Sequence, residues 1–339
     1  MSGARVVTLT ANPSLDRTLE LPVPLTEGGI VRLAGTSTEP GGKGVNVARA
    51  IAAAGGDVVS VLPAADSDPI LQALRALGLE LATVPVETPV RTNYTLVDPA
   101  GTTTKLNEPG APLTEHTRAA LTGALHAHAA TAQWVVLSGS LPPSTPPGWY
   151  AELVVSLRDT GARIAVDTSE APLLALLQAG PAAAPDLLKP NAEELAQLAG
   201  RTEADVLADP AVLLAAVRSL HERGVGEVLL TLGGDGAVLS TADGGLWSAR
   251  PPAVTVRSTV GAGDSSLAGH LLASLAGAPP AERLRSAVAY GSASASLPGS
   301  AVPSPAHVDG SAVRVMAGLP GSSTPVPPPS VPAAGRDVL

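Results

Sequence analysis

The chain has 339 residues, 30 acidic against 21 basic side chains and a formal net charge of −9, with no run of Lys or Arg, so non-specific nucleic-acid binding is not expected. Without cysteine there is no disulfide framework, no Cys-ligated zinc and no thiol nucleophile. No signal-peptide core and no apolar run of bilayer length occurs, which predicts a soluble cytoplasmic protein that engages no membrane.

At ~150 residues per domain the length suits two domains, or one large α/β domain carrying an inserted subdomain. Phe is absent and aromatics make up 2%, so the core must be packed from Val, Leu and Ala.

Residues 6–10 are a short apolar run ending in Ala11-Asn12-Pro13, a buried strand followed by a turn. Asp16 comes just after the strand end, where α/β sheets bind ligands. It is a candidate for holding a polyol through its hydroxyls, and equally a solvated turn residue. Residues 18–38 alternate loosely around Gly28-Gly29 and predict strands leaving the main sheet.

Gly41, Gly42 and Gly44 flank Lys43, and a helix over 45–54 follows, stopped by Gly55-Gly56. The segment is not a P-loop, because Gly44 stands where that pattern needs Ser or Thr. Lys43 and Asn46 would face one pocket from the start of this helix. A strand over 58–62 leads to a helix capped by Asp68 and ended by Gly78. Residues 91–98 and 102–106 around Pro99-Ala-Gly predict a hairpin with one polar face, offering Arg91, Asn93 and Lys105 to a phosphate. With residues 18–38 it forms a small inserted sheet placed to act as a lid.

From Leu113 helix and strand alternate regularly, predicting a mostly parallel sheet covered on both faces. Ser138, Asp167, Lys189 and Asn191 then fall at strand ends along one edge. Asn191 and Glu194 stand three apart at a helix start and can both meet a metal-bound phosphate and its waters, although a helix-start carboxylate explains Glu194 as well. Thr231-Leu-Gly233-Gly-Asp-Gly236 is a second Gly-rich turn, a plain hairpin or a nucleotide-side wall, without the spacing of a dinucleotide fingerprint. His126 and His128 fall on different helix faces and make a poor metal pair, and His270 reads as a packed helix residue. Neither a Gly-x-Ser-x-Gly elbow nor a His-Glu-x-x-His motif occurs.

The stretch 258–265, Ser-Thr259-Val-Gly261-Ala262-Gly263-Asp264-Ser, precedes a helix predicted over 265–276. Taken alone it reads as a turn with an N-cap. Its glycines also permit several N–H groups to converge beside the positive end of the helix dipole, an anion hole, with Asp264 placed to take a proton from a hydroxyl. Residues 281–297 and 306–317 look helical, and residues 318–339 are a Pro/Ser-rich tail expected to be disordered.

Asn12-Pro-Ser-Leu-Asp16, Gly41-Gly-Lys-Gly-Val-Asn-Val-Ala, Ser138-Gly-Ser-Leu-Pro, Lys189-Pro-Asn-x-x-Glu194 and Ser258-Thr-Val-Gly-Ala-Gly-Asp264-Ser occur in this order. Together they resemble the PfkB branch of the ribokinase superfamily, and within it the bacterial 1-phosphofructokinases, over roughly residues 5–317. The resemblance implies a ribokinase-like three-layer α/β/α sandwich as one kinase domain, residues 1–317, with lid strands from about 17–38 and 88–107 that often pair in a homodimer. It implies transfer of the γ-phosphoryl of ATP, with Mg2+, to fructose 1-phosphate, giving fructose 1,6-bisphosphate.

Asp264 then matches the general base, and Gly261, Ala262 and Gly263 the anion hole. Asp16, Gly41, Gly42, Lys43, Asn46, Arg91, Lys105 and Ser138 match the sugar-phosphate side. Lys189, Asn191, Glu194, Thr231, Gly233, Gly236 and Thr259 match the nucleotide side, with Glu194 meeting the metal through water. Relatives that use fructose 6-phosphate tend to carry a lysine near position 30 and to lack the one at 43. Ile30 and Lys43 favour fructose 1-phosphate or tagatose 6-phosphate and do not separate the two. A tagatose-6-phosphate kinase or 6-phosphofructokinase of the same family is the alternative enzyme, and a non-catalytic sugar-phosphate-binding protein is the alternative of another class.

Overall fold

The computed structural model describes residues 5–319 and 324–325. In chain order, β1 (Arg5–Leu9) leads out to β2 (Ser14–Glu20) and β3 (Gly35–Gly41), and α1 (Lys43–Ala53) returns the chain to β4 (Asp57–Ala64). Then come α2 (Pro69–Ala76), β5 (Glu80–Pro85), the hairpin of β6 (Arg91–Val97) and β7 (Thr103–Asn107), and α3 (Glu115–Ala129). Four units follow: β8 (Trp134–Ser138) with α4 (Trp149–Leu157), β9 (Arg163–Asp167) with α5 (Glu170–Gln178), β10 (Leu187–Leu188) with α6 (Ala192–Ala199), α7 (Glu203–Ala208) and α8 (Pro210–Glu222), then β11 (Glu227–Thr231). The described chain closes with β12 (Ala237–Thr241), β13 (Leu246–Arg250), α9 (Ala262–Leu275), α10 (Pro280–Ala295), β14 (Arg314–Ala317) and β15 (Thr324–Pro325).

The large sheet runs β15-β14-β13-β12-β11-β10-β9-β8-β1-β4-β5, parallel from β5 to β11 and antiparallel beyond. Successive residues of a strand point to opposite faces, so each strand feeds two cores. Val7, Leu9, Val135, Leu137 and Val166 join the core under α3, α4, α5, α6 and α8. Val6, Trp134, Val136, Ala165 and Leu229 join the core under α1, α2, α9 and α10. The result is a three-layer α/β/α sandwich.

The second sheet, β3-β2-β6-β7, stands apart from it. Its register places Asp16 beside Glu39 and Asn93, and Thr18 beside Thr95, which pairs with Lys105, all on one face. Leu19, Tyr94, Leu96 and Leu106 fall on the other, and Leu106 is 55% exposed.

Two expectations for the C-terminal part are corrected. Residues 306–317 are not a helix: a single 3-10 turn at Pro305–His307 gives way to β14. Val313 and Val315 are buried and Arg314 between them is exposed, a period of two, and Asp309-Gly310 interrupts any helical run. The tail expected to be disordered from 318 has described parts that are tied down. Gly318 donates to Leu246 O, Leu319 is buried, and Thr324–Pro325 pairs with β14. Residues 320–323 and 326–339 lie outside the described residues. Among the described residues no helix is long and apolar enough to cross a membrane.

Candidate active site

Strand order reverses at β1. The chain leaves it towards β4 and β5, then returns on its other side through β8, β9, β10 and β11. In open α/β sheets ligands bind beyond the carboxyl ends of the strands at such a point. Here those ends carry Thr10 and Asn12 after β1, Ser138 on β8, Asp167 on β9, Lys189 after β10 and Thr231 on β11.

Asp167 is fully buried between two lysines: Oδ1 lies 2.8 Å from Lys43 Nζ and Oδ2 3.1 Å from Lys189 Nζ. Burial alone would raise its pKa, but the two ammonium groups outweigh it and hold the carboxyl below the ordinary range. Burial pulls Lys43 down, and Asp167 and Asp264 more than restore it, so Lys43 stays charged. In the sequence Asp167 is legible only as a polar residue at a strand end. What it does, joining a lysine of α1 to one after β10, is visible only once β8, β9 and β10 are side by side.

Asp264 lies inside α9, which begins at Ala262 rather than at 265. Gly261 is the N-cap, in the left-handed conformation at φ 78°, and Asp264 makes no capping bond to the helix. Its Oδ2 accepts instead from Asn46 Nδ2 at 2.9 Å, across the contact between α1 and α9. Burial first, then the Asp167 charge, pushes its pKa up to about 6, against Lys43, the Asn46 hydrogen bond and Lys189. Two neighbouring carboxyls are thus driven apart: Asp167 is locked as an anion and Asp264 can exchange a proton near neutrality. The first-turn N–H groups of α9 have no partners within the helix and add its positive end. Lys189 Nζ stands 3.3 Å from where a Cβ on Gly263 would lie, so an anion at the helix mouth meets that ammonium as well.

The small sheet supplies the opposite wall. Asp16 Oδ1 accepts from Ser14 Oγ at 2.8 Å and Asn93 Nδ2 at 3.0 Å, and Oδ2 lies 2.2 Å from where a Cβ on Gly41 would be. That close approach explains Gly41, which lines no cavity itself. Arg91 donates to Glu108 O at 3.1 Å and Asn12 O at 3.2 Å, and burial lowers its pKa against the pull of Asp16 and Glu108. Lys105 reaches the cleft from exposed β7.

Two spaces share Lys43 and Arg91 in their walls. The larger, about 860 Å³, runs from Asp16, Gly42, Asn46 and Lys105 past Asp264 to Lys189, Glu194, Thr231, Gly233, Gly236 and Thr259. Its far end is an apolar wall that sequence reasoning missed, Pro251, Pro252, Val254, Val256 and Val288, because Pro and Val between elements carry no signal of a pocket. The smaller, about 150 Å³, takes Ser138 together with Thr10, Asn12, Ser140 and Ser169, of which the last four held no expected role. The hydroxyls of Thr10 and Ser138 are buried without a partner.

Asn191 and Glu194 cap α6 reciprocally, Asn191 Oδ1 accepting from Glu194 N at 2.7 Å and Glu194 Oε2 from Asn191 N at 2.9 Å. The helix-start reading therefore holds, and both residues also line the cleft. Burial raises the Glu194 pKa against the Lys43 charge and the Asn191 bond. Gly236 meets β13 so closely that a Cβ would lie 1.9 Å from Ala249 O, which accounts for it as a hairpin glycine beside the cleft.

Among the described residues no group of three or more His, Cys, Asp or Glu could hold a metal by itself. The site fits a magnesium ion whose ligands are mostly phosphate and water, with Glu194 at its edge. An elongated cleft with an apolar end, a cationic middle, an anion-binding helix mouth and a polar sheet beyond a buried carboxyl suits transfer of a phosphoryl group between two ligands.

The family model described as pfkB family carbohydrate kinase matches residues 10–307. A 1-phosphofructokinase of Xanthomonas campestris is 36% identical over 268 residues, 78% of this chain and 82% of that protein. A 1-phosphofructokinase of Rhodobacter capsulatus is 37% identical over 297 residues, 84% and 89% of the two chains. The crystal structure of phosphofructokinase-2 from Escherichia coli in complex with fructose-6-phosphate superposes with a TM-score of 0.77 at 31% identity, over 86% of this chain and 94% of that one.

Proposed function

Because the chain belongs to the pfkB family of carbohydrate kinases and is a sugar-phosphate kinase, we propose that it phosphorylates fructose 1-phosphate with ATP, giving fructose 1,6-bisphosphate and ADP. The observation that carries the reading is Asp264. It is a buried carboxyl in the first turn of α9, between the polar sheet and the glycine-lined half of the cleft, with its pKa raised to about 6.

The sugar lies against Asp16, Asn46 and Asn93, with its phosphate among the cationic groups of Lys43, Arg91 and Lys105 and the hydroxyls of the smaller cavity. ATP lies along Gly233, Gly236 and the apolar wall, its terminal phosphate at the first turn of α9. Asp264 accepts the proton of the sugar's 6-hydroxyl as that oxygen bonds to the γ-phosphorus, while the bond from that phosphorus to the bridging oxygen of ADP breaks. The transition state of such transfers is loose, so in-line positioning and neutralisation of charge carry the rate. The N–H groups at the α9 mouth, Lys43 and Lys189 supply that neutralisation. Glu194, acting through water, would hold a magnesium ion, which would supply further positive charge to the phosphates there.

The small sheet acts as lid of one kinase domain, and the protein works in the cytoplasm. Its apolar face, Leu19, Tyr94, Leu96 and Leu106, is covered by the lid of a second copy, so Leu106→Asp converts a dimer to monomer in sedimentation. Lys43 beside Asp167, with a 91% exposed Ile30 in place of a lysine, favours fructose 1-phosphate or tagatose 6-phosphate over fructose 6-phosphate.

The test is ADP formation with MgATP and fructose 1-phosphate, fructose 6-phosphate or tagatose 6-phosphate side by side. Highest kcat/KM on fructose 1-phosphate supports the reading. Preference for a 6-phosphate keeps the base and moves the phosphate subsite, and binding of a sugar phosphate without ADP formation removes the catalytic assignment.

A further inference from the structure

Arg49 has no part in the chemistry above, yet its guanidinium is buried on α1, 6% exposed. Nη1 donates to Pro40 O at 2.8 Å, and lies 3.3 Å from Ser300 O and 3.4 Å from Asn46 Oδ1. Nη2 is 4.0 Å from Glu39 Oε1, and Glu39 Oε2 accepts from Ser300 N at 3.0 Å and Ser300 Oγ at 2.5 Å. The end of β3, α1 and the segment after α10 therefore meet at this one cation. Burial pulls its pKa down while Glu39 and Asp16 resist, and a guanidinium stays charged regardless.

Asn46, one turn earlier on α1, is held from both ends: Oδ1 faces Arg49, and Nδ2 donates to Asp264 Oδ2 at 2.9 Å. A side-chain amide turned by half a rotation keeps its shape and exchanges donor for acceptor. With Arg49 in place, that flip sets N–H against N–H on one side and carbonyl oxygen against carboxylate on the other. The contact at 3.4 Å is long for a hydrogen bond, but its charge still decides between the two orientations.

We propose that Arg49 is a positioning residue that locks the Asn46 amide with its N–H on Asp264, keeping the base ionised and aimed. The inference rests on the reading of Asp264 as general base. The groups facing Asp264 are Asp167 at the end of β9, Lys43 and Asn46 on α1, and Lys189 after β10. Asn46 is the neutral member of that set, so its orientation alone determines whether it favours the charged or the protonated carboxyl.

The experiment is the pH dependence of kcat with MgATP and fructose 1-phosphate for the whole chain as wild type, Arg49→Met, Asn46→Ala and the double variant. Losing the N–H donor favours protonated Asp264, so the acid limb of Arg49→Met moves to higher pH by about 0.5–1 unit. At pH 5.5 kcat falls roughly three- to eightfold and at pH 7 by less than about twofold, while both KM values stay within about twofold, because only proton removal suffers. The thermal shift induced by ADP is unchanged. In the Asn46→Ala background the Arg49 substitution moves the limb no further, since the effect passes through that amide.

An Arg49→Met limb at the wild-type pH, or a second shift added to Asn46→Ala, overturns the inference and leaves the base assignment standing. A wild type without an acid limb, or full turnover by Asp264→Asn, overturns both. Should Arg49→Met fail to fold, Arg49→Gln, which keeps a polar end for Pro40 O and removes the charge that faces Asn46 Oδ1, is read in its place.

Discussion

A methyl group on Gly41, which lines no cavity itself, probes the sugar side of the cleft through Asp16. The Gly41 backbone is not in the left-handed region, so alanine introduces no conformational strain and acts through space alone. The new Cβ would lie 2.2 Å from Asp16 Oδ2 and 2.5 Å from Asp16 Cγ, far inside van der Waals contact. The yielding atoms are the end of a side chain, so Asp16 turns and the fold survives, at the expense of its bonds from Ser14 and Asn93.

A hydrogen bond between a sugar hydroxyl and a charged carboxylate contributes about 1.5–3 kcal/mol, so losing one raises KM for the sugar phosphate roughly ten- to a hundredfold. KM for ATP stays where it was, because the nucleotide half of the cleft is untouched. Steady-state kinetics on Gly41→Ala, Asp16→Ala and the double variant read this directly. The Asp16→Ala substitution removes the atoms the methyl group collides with, so the double variant should equal Asp16→Ala alone. A wild-type sugar KM in Gly41→Ala, equal rises for both substrates, or additive losses would refute the reasoning.

Asp264→Asn should abolish turnover while ADP binding, followed by calorimetry, changes little. In the wild type a base with a pKa of about 6 leaves kcat at pH 5 near a tenth of its plateau. Asp167→Asn should move that acid limb to lower pH, since the Asp167 charge is one cause of the raised value, and should lower Tm because Lys43 and Lys189 lose their shared partner. Arg91→Ala should raise KM for the sugar phosphate far more than for ATP; equal rises would place Arg91 elsewhere.

Glu227, at the start of β11 on the edge away from the cleft, is bonded by Arg283 at 2.6 Å and lies 3.3 Å from His270 Nε2. Burial works to raise its pKa, yet His270 and Arg283 hold it at about 2. Its folded value is depressed, so its contribution is present above the unfolded value near 4.5 and is lost as pH falls towards 2, amounting to no more than about 3 kcal/mol. Glu227→Gln should lower Tm at pH 7 and leave kcat/KM within about twofold.

The amino-acid order alone determined the alternation of strand and helix, the glycine-rich turn before α9 and the family, because each rests on neighbours in sequence: apolar period, glycine at a helix mouth, a carboxyl a few residues on. Gly41, Lys43, Asn46 and Asp264 were legible for the same reason. Tertiary structure alone decided how they act. Asp264 reads locally as a cap, and its fitness for the proposed role of base comes from α1, which brings Asn46 to it, and from burial, which raises its pKa. Asp167 has no motif, and joins two lysines only when three parallel strands are aligned. Residues 306–317 looked helical until β13 offered an edge, because short apolar stretches take the period of whatever surface they cover. The apolar wall at 251–256 has no periodicity to read; its function depends on the distance between segments far apart in the chain, and that distance is set by packing.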